Sequence, residues 1–158
     1  MSNQSDSEPF ILFELAGTTY GVRSRFVQQV EMVEHVTPVP NASGAVEGVV
    51  FARGQVVPAL NLRVRFGFER APFDLRSRLI VVATGGRVVG MIVDTAREFL
   101  RIPAAAIEAP PEAITGLSGK YLEGIATLDR RLVLILNLDE VIDIGNTQTA
   151  VDGEPEAA

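Results

Sequence analysis

The feature that most constrains this chain is an internal repeat. Residues 47–62 and 123–138 share one order of features: a Glu-Gly pair, an apolar stretch and a closing Asn-Leu pair. The spacing is constant, so that Glu47 corresponds to Glu123 and Asn61 to Asn137. A second echo relates residues 17–22 to residues 86–91. The repeat predicts one small β module present twice. It directs the search for function to the rims of the two copies and the surface between them, rather than to a catalytic cleft.

Composition limits the location and chemistry of the protein. The chain has 158 residues, no cysteine and a formal net charge of −6. The absence of cysteine excludes disulfides and thiolate metal sites and fits a reducing compartment. The sequence shows no signal peptide, and no apolar run approaches the roughly 20 residues that span a bilayer. We therefore expect a cytoplasmic protein without membrane insertion.

The negative charge is concentrated near the two ends of the chain. Five acids lie there, which leaves −6 + 5 = −1 for the remainder: Asp6, Glu8, Asp152, Glu154 and Glu156. The polar, acidic composition predicts disordered tails at residues 1–9 and 145–158. The folded part is expected to span residues 10–144, in two halves at roughly 10–67 and 78–144 with possible exchange of strands between them.

Short apolar stretches separated by turn residues predict an all-β fold. Turns recur roughly every eight to twelve residues, which is typical of a sandwich or barrel. Each half is too short to bury a full core alone, so the two halves are expected to pack together. The predicted strands are residues 10–15, 20–22, 46–52, 55–60, 79–83, 88–94, 121–128 and 131–136.

A few residues predict local features within this pattern. Asn61 and Asn137 are suited to cap short helical turns. Pro58 cannot donate a backbone hydrogen bond, so its strand is expected at a sheet edge or barrel rim. Ser24 is expected to begin a helical turn that reaches about Gln29, with an apolar face formed by Phe26, Val27 and Val30.

Catalytic and metal-binding residues are scarce in this sequence. His35 is the single histidine, and we interpret it as an exposed residue at a strand end. Asp94 follows an apolar strand, where an aspartate more often closes the strand by hydrogen-bonding its own following backbone. Gly85-Gly86 falls in a turn and opens no helix, so it lacks the amide groups that bind phosphates. The sequence therefore predicts no enzyme, no cofactor and no metal site.

Arg53 is the polar residue of greatest interest. It lies beside Gly54 at a tight turn between two apolar strands, and its equivalent in the second copy is Asp129. A guanidinium at such a tip can donate in a planar fork to a carboxylate or to backbone carbonyls of a partner. The alternative, an arginine at a hairpin tip that only contacts water, is left open by the chemistry.

A nucleic-acid-binding β-barrel is the rival hypothesis. Five arginines lie between Arg63 and Arg78, interleaved with Phe66, Phe68 and Phe73. Basic groups and stacking aromatic rings are the features that bind single strands. The acidic Glu69 and Asp74 interrupt the stretch, which favours a solvated helix end and loop.

Several short motifs occur in a defined order over about residues 10–144. The motifs are Phe13-Glu14-Leu15-Ala16-Gly17-Thr18-Thr19-Tyr20-Gly21-Val22, Val27-Gln28-Gln29-Val30, Val46-Glu47-Gly48-Val49, Ala52-Arg53-Gly54-Gln55-Val56-Val57-Pro58, Asn61-Leu62-Arg63, Arg65-Phe66-Gly67, Gly90-Met91-Ile92-Val93-Asp94 and Leu122-Glu123-Gly124-Ile125. Each motif alone is weak, but their order and spacing together are specific. Together they resemble the CheW family of chemotaxis adaptors.

This resemblance implies a fold and a role. The fold would be two intertwined SH3-like five-stranded β-barrels with short helical turns. The role would be a non-catalytic scaffold that joins methyl-accepting chemotaxis receptors to the histidine kinase CheA in receptor arrays. The receptor tip would lie in a groove between the barrels, and the kinase would dock barrel to barrel.

The resemblance and the pattern of apolar residues together predict a set of partner-binding residues. Arg53, with Gly54 beside it, matches the arginine near the receptor and kinase contacts. An apolar trough with a polar edge would accept a helix, and exposed apolar residues at strand ends would serve barrel docking, although each of these valines could equally be core. The expected set is Val27, Gln29, Val30, Val36, Gly48, Val49, Arg53 and Gly54.

Three positions depart from the usual family pattern. Gln29 stands where a glutamate is usual, Phe51-Ala52 replaces Asn-Leu, and Arg78 occupies a position that is commonly apolar. Because of these departures, the resemblance does not identify the receptor. A chemotaxis-like pathway that controls gliding or pilus motility is therefore an alternative to flagellar chemotaxis.

Overall fold

The structure is a computed structural model that describes residues 6–42, 44–112 and 119–144. Short 3-10 turns occur at Ser24–Phe26, Ala104–Ala106 and Gly119–Tyr121, and the helices are α1 (Leu62–Arg65) and α2 (Leu138–Val141). No helix in these ranges is long and apolar enough to cross a membrane. The strands are β1 (Ser7–Leu15), β2 (Thr18–Arg23), β3 (Val27–Met32), β4 (Val46–Ala52), β5 (Gln55–Asn61), β6 (Arg78–Thr84), β7 (Arg87–Val93), β8 (Thr95–Pro103), β9 (Ile107–Glu108), β10 (Leu122–Leu128) and β11 (Arg131–Leu136).

The strands form two sheets that exchange hairpins between the two halves of the sequence. The six-stranded sheet has the order β8-β1-β2-β11-β10-β9, and the five-stranded sheet has the order β3-β6-β7-β5-β4. Hairpin β1–β2 therefore lies among strands of the second half, and hairpin β6–β7 lies among strands of the first. Short parallel pairings join β2 to β11 and β5 to β7. The predicted all-β fold is confirmed, and the halves are intertwined; closure of each sheet into a barrel stays a prediction.

The exchanged hairpins are buried on both faces. Along β6, Leu79 and Val81 pack into an apolar cluster within the five-stranded sheet, whereas Ile80 and Val82 join a larger cluster contributed by both sheets and α2. The six-stranded sheet has a corresponding cluster of its own. A strand covered on both faces needs apolar residues at successive positions. This need explains the nearly continuous apolar runs of β6 and β7.

Two-residue turns with positive φ close the hairpins. Arg53 and Gly54 have φ angles of 50° and 78°, and Asp129 and Arg130 have φ angles of 50° and 67°. Positive φ at both central residues is the type I′ geometry, whose twist matches that of the flanking strands. The predicted turns are confirmed, and all four residues at the two tips lie exposed.

The predicted helical turn from Ser24 to about Gln29 is wrong. Only Ser24–Phe26 forms a 3-10 turn, in which Ser24 does not occupy the cap position. Val27, Gln29 and Val30 lie on β3, which pairs antiparallel with β6. A single isolated helical turn is costly to nucleate, and pairing with a sheet edge satisfies the same backbone groups.

Three smaller predictions also differ from the structure. Strand β1 begins at Ser7 rather than residue 10, so residues 7–9 are not a tail; residues 1–5 and 145–158 lie outside the described residues. Strand β5 lies inside its sheet, although its pairing with β7 begins at Ala59, one residue beyond Pro58. Asn61 caps α1 through its side chain, whereas Asn137 stands at the same place before α2 without a side-chain hydrogen bond.

Candidate partner-binding surface

The structure places the predicted partner-binding residues around the five-stranded sheet. They lie on its two edge strands, β3 and β4, on the β4–β5 turn, and on the segment that connects β3 to β4. A cleft of about 180 Å³ separates the end of β3 from β4 and is lined by residues of both strands. The two edge strands therefore border a common cleft. The predicted residues are Val27, Gln29 and Val30 on β3, Val36 on the connection, Gly48 and Val49 on β4, and Arg53 and Gly54 at the turn.

The β3 part of this surface is only partly accessible. Val27 packs against the larger apolar cluster and is thus partly a core residue. Gln29 is half-buried, and a register shift interrupts the pairing with β6 between Val27 and Gln29. Val30 is 38 % exposed, and Met32 two residues on is also exposed. Of the three predicted β3 residues, Val30 offers the most accessible apolar surface.

Arg53 lies at the tip of the β4–β5 hairpin with its side chain in solvent. Among the described residues it forms no hydrogen bond or ion pair. All five of its N–H donors therefore remain available to an incoming carboxylate or carbonyl. Gly54 completes the turn, and a Cβ there would meet nothing within 4 Å, which leaves room for a partner to approach the backbone.

Two apolar residues beside Arg53 were not in the predicted set. Phe51 and Val56 are 73 % and 64 % exposed, and they form the second cross-strand pair from the turn, after Ala52 and Gln55. Val49 and Pro58 form the next outward pair, both half-buried. The four side chains make an outward apolar strip on the β4–β5 ribbon. Strand alternation could have revealed it, because Val50 and Ala52 face the core and their neighbours must therefore face outward.

Gly48 has a structural reason to be glycine. Its φ is 153°, and a Cβ would lie inside contact distance of the Thr37 carbonyl oxygen and 2.7 Å from the Thr37 carbonyl carbon. Close approach is needed because Thr37 and Val49 exchange two backbone hydrogen bonds of 2.9 Å. The contact secures the β3–β4 connection against β4. Any effect of Gly48 on a partner would pass through the shape of this rim.

Val36 covers a core rather than standing free. It is half-buried and packs, with Val33, against the apolar cluster within the five-stranded sheet. Val39, in contrast, is exposed. The possibility that some predicted valines are core residues therefore holds for Val36 and in part for Val27.

An ion pair joins α1 to the junction between β7 and β8. Arg63, on α1, donates through Nε and Nη2 to the two carboxylate oxygens of Asp94, each at 2.8 Å. Asp94 also accepts a hydrogen bond from the Ala16 amide at 2.9 Å. Partial burial acts to raise the pKa of Asp94, but the hydrogen bonds from Arg63 and Ala16 outweigh it and hold the pKa below its ordinary value. Asp94 thus joins two distant segments, whereas the predicted hydrogen bond to its own following backbone is not among its contacts in the described residues.

The lowered pKa of Asp94 makes this junction sensitive to acid. A depressed carboxyl pKa contributes stability above the unfolded value, near 3.8, and that stability is lost as pH falls through the folded value. We expect Asp94→Asn to be less stable than the parent at pH 7 and to lose less stability between pH 7 and pH 3. Urea midpoints at the two pH values measure this. If the change in midpoint between pH 7 and pH 3 were the same for Asp94→Asn as for the parent, the role of Asp94 in this acid sensitivity would be contradicted.

The arginines of the rival nucleic-acid hypothesis are engaged internally. Arg70 contacts Glu47 at 2.5 Å, and Arg78 donates to the Leu75 and Ser77 carbonyl oxygens. Arg65 donates to the Val141 carbonyl at the end of α2. Phe66 packs between two tyrosines of the protein itself rather than standing free: Tyr20 and Tyr121. These contacts favour a structural role for the stretch.

The single histidine of the chain lies in the cleft between β3 and β4. His35 is exposed and lines the cleft between β3 and β4 together with Glu31 and Glu34. No three His, Cys, Asp or Glu side chains in the described ranges, these three included, are arranged so that they could hold a metal ion. The surface is suited instead to contacts with another protein, through a free guanidinium and an exposed apolar strip.

Comparison with known proteins agrees with this picture. Residues 9–145 match the CheW-like domain family. The chain is 29 % identical over 142 residues to "Chemotaxis protein CheW" of Klebsiella aerogenes, covering 90 % of this chain and 86 % of the relative. It is 35 % identical over 137 residues to "Protein FrzA" of Myxococcus xanthus, covering 85 % of each.

A solved structure shows the same architecture. The scaffolding protein TtCheW from Thermoanaerobacter tengcongensis superposes with a TM-score of 0.80 at 30 % identity, covering 87 % of this chain and 93 % of that one. The family match spans most of the chain. The chain therefore belongs to the CheW-like domain family.

Proposed function

We propose that this protein is a non-catalytic chemotaxis adaptor that couples methyl-accepting receptors to a CheA-type histidine kinase. The observation that carries the proposal is the exposed apolar strip with a free arginine at its tip, on a chain of the CheW-like domain family. An adaptor needs surfaces for two partners and no reaction centre. No cofactor and no nucleic acid enter this function.

The β4–β5 ribbon supports docking of the kinase. Phe51 and Val56 present adjacent apolar side chains on a two-stranded ribbon, and Arg53 lies at the turn that closes it. Aromatic and arginine side chains are enriched among residues that dominate binding energy at protein interfaces. A partner that covers the strip would remove apolar surface from water and satisfy the guanidinium in one contact.

The rim of β3 supports contact with a receptor helix. Val30 and Met32 are exposed on the edge strand, and the cleft beside them is bordered by Glu31 and Glu34. An amphipathic helix places its apolar face in such a trough and its polar residues along the edge. Gln29 provides a neutral amide there, where the family resemblance implies a carboxylate.

The setting of the protein follows from this proposal. An adaptor for receptor tips and their kinase works in the cytoplasm, associated with receptor arrays at the inner membrane. The departures from the family pattern at Gln29, Phe51-Ala52 and Arg78 keep a chemotaxis-like pathway for gliding or pilus motility as the second candidate. The two candidates share the same adaptor chemistry and differ in the receptor.

Substitution of the free arginine tests the adaptor proposal. We expect Arg53→Glu to weaken binding to a cognate kinase or receptor fragment by about tenfold or more, the effect of one lost interface contact of about 1.4 kcal/mol. The melting temperature should stay nearly unchanged, because Arg53 is exposed and its side chain forms no hydrogen bond or ion pair among the described residues. Isothermal titration calorimetry and a thermal melt measure the two quantities.

A matched control comes from the second copy of the hairpin. Arg130 lies exposed at the tip of the β10–β11 turn, so Arg130→Glu changes the same charge on the equivalent ribbon. Binding should survive this substitution. If the parent chain binds neither partner, the adaptor proposal fails; if Arg53→Glu lowers the melting temperature sharply, Arg53 is structural.

A further inference from the structure

The repeat creates two equivalent places where a short helix meets the junction between two strands. At the first, Arg63 on α1 holds Asp94 at the β7–β8 junction through the two 2.8 Å hydrogen bonds described above. At the second, α2 meets the turn between β2 and β3. By the two spacings of the repeat, Arg25 is the sequence equivalent of Asp94, and Asp139 is the sequence equivalent of Arg63. The two charges are therefore present at both places, but on exchanged sides.

Strand register supports this equivalence. Val27 on β3 pairs with Val82 on β6, and Ala96 on β8 pairs with Phe13 on β1. By the spacing that relates residues 17–22 to residues 86–91, Ala96 is the equivalent of Val27 and Phe13 is the equivalent of Val82. The two strand pairings are therefore equivalent. Asn61 and Asn137 likewise occupy the cap positions of α1 and α2. Arg25 and Asp139 thus hold equivalent positions in three dimensions as well as in sequence.

The second place is open in the structure. A cleft of about 210 Å³ is lined by both Arg25 and Asp139, and within the described ranges these two residues form no ion pair with each other. Arg25 is 65 % exposed; its Nε lies 3.8 Å from a Glu8 carboxylate oxygen, and its guanidinium lies 5.0 Å from the Phe26 ring centre. Asp139 accepts a 3.2 Å hydrogen bond from the Thr84 hydroxyl.

We propose that Arg25 and Asp139 form a latch, the charge-exchanged counterpart of the Arg63–Asp94 pair, which closes the cleft when Arg25 leaves Glu8 and binds Asp139. The other charged groups that line the cleft, Arg23 and Glu123, are already paired at 2.7 Å, and Arg23 also donates to Glu8 at 3.3 Å. They leave Arg25 and Asp139 as the complementary pair.

The chemistry of the latch favours two states of similar energy. A solvent-exposed ion pair contributes little to stability, because hydration and side-chain entropy offset the attraction. Arg25 therefore has two weak carboxylate partners, Glu8 on β1 and Asp139 on α2. A small input can shift the population between them.

Closure would act on the strand that follows Arg25. Val27 begins β3 two residues later, so the closed latch would tie the start of β3 to α2. A link between the latch and receptor binding rests on the function proposed above. The latch itself does not, and the experiment below contains no partner, so its failure would leave the adaptor proposal standing.

Nitrogen-15 NMR of the full chain tests the latch through the Nε–Hε resonance of Arg25, which is identified by its loss in Arg25→Lys. In Glu8→Gln, the competing carboxylate is gone and Arg25 should move to Asp139. We expect the Hε of Arg25 to exchange with water roughly two- to fivefold more slowly in Glu8→Gln than in the parent chain, which is the size of effect that a weak ion pair gives. A second substitution, Asp139→Asn, should abolish this protection, and high salt should weaken it.

A control on the same helix separates the latch from general electrostatics. Glu140 is exposed on α2 and does not line the cleft, so Glu140→Gln removes an equal charge nearby. In the Glu8→Gln background, it should leave the Arg25 resonance protected. The proposal would be overturned if the Arg25 Hε were protected equally in Glu8→Gln with and without Asp139→Asn. It would also be overturned if Glu140→Gln removed the protection as fully as Asp139→Asn does. All substituted side chains are partly or fully exposed, and circular dichroism checks that the variants fold.

Discussion

Replacement of Gly48 by alanine should lower the free energy of unfolding by about 3 kcal/mol or more. The φ of 153° is strained for a residue with a side chain, and strain of this kind costs of order 1–3 kcal/mol. The added Cβ would also press against the Thr37 carbonyl group, and overpacking costs about 1–3 kcal/mol more. Urea denaturation of the parent and the variant measures the difference.

Gly54 provides the matched control for backbone strain alone. Its φ is also positive, at 78°, but a Cβ there would meet no atom within 4 Å. Gly54→Ala should therefore cost only about 1 kcal/mol. Similar losses at the two positions would show that the Thr37 contact contributes nothing. If Gly48→Ala lowers the free energy of unfolding strongly, weaker partner binding by this variant would reflect a distorted β3–β4 connection rather than the loss of a direct contact with the partner.

Replacement of both Phe51 and Val56 by threonine should weaken kinase binding by about 30-fold or more. The two side chains are the most exposed apolar pair on the β4–β5 ribbon, and truncation of residues that dominate an interface costs about 2 kcal/mol or more. Threonine preserves strand propensity and is already present at position 127, the equivalent of Phe51. Binding to the kinase regulatory domain can be measured by calorimetry.

The second ribbon again supplies the control. Leu132 is 57 % exposed and pairs with Thr127 below the β10–β11 turn. Leu132→Thr removes a similar apolar group from the equivalent place and should preserve kinase binding on the first ribbon. Loss of binding in Leu132→Thr alone would assign the kinase to the second ribbon. Both variants should keep their stability within about 1 kcal/mol, the range of a cross-strand pair.

Local rules predicted the features that depend on neighbouring residues. Alternation and turn residues located the β4–β5 hairpin, its two-residue turn at Arg53-Gly54, and the cap at Asn61. Each of these depends on a few adjacent φ and ψ angles and nearby hydrogen bonds. The same rules could have identified Phe51 as outward-facing, because its neighbours Val50 and Ala52 are buried.

Features that depend on distant pairing were missed. Val27–Met32 has a pattern that a helix could also accommodate, and only the free edge of β6 made it a strand. The position of β5 inside its sheet depends on parallel pairing with β7, a strand from the other half of the sequence. Arg63 and Asp94 likewise meet only because the fold brings α1 to the β7–β8 junction.

Residue order alone established that this protein is a doubled β module with apolar strands and an arginine at the tip of one hairpin. The two spacings of the repeat are visible without coordinates because repetition is a property of residue order. The pairing of distant strands settled which sheet each hairpin joins, which valines are core, and which charged residues meet. The hairpins β1–β2 and β6–β7 are apolar on both faces, so each must be covered on both sides. In this fold they are covered because each hairpin lies among strands of the other half.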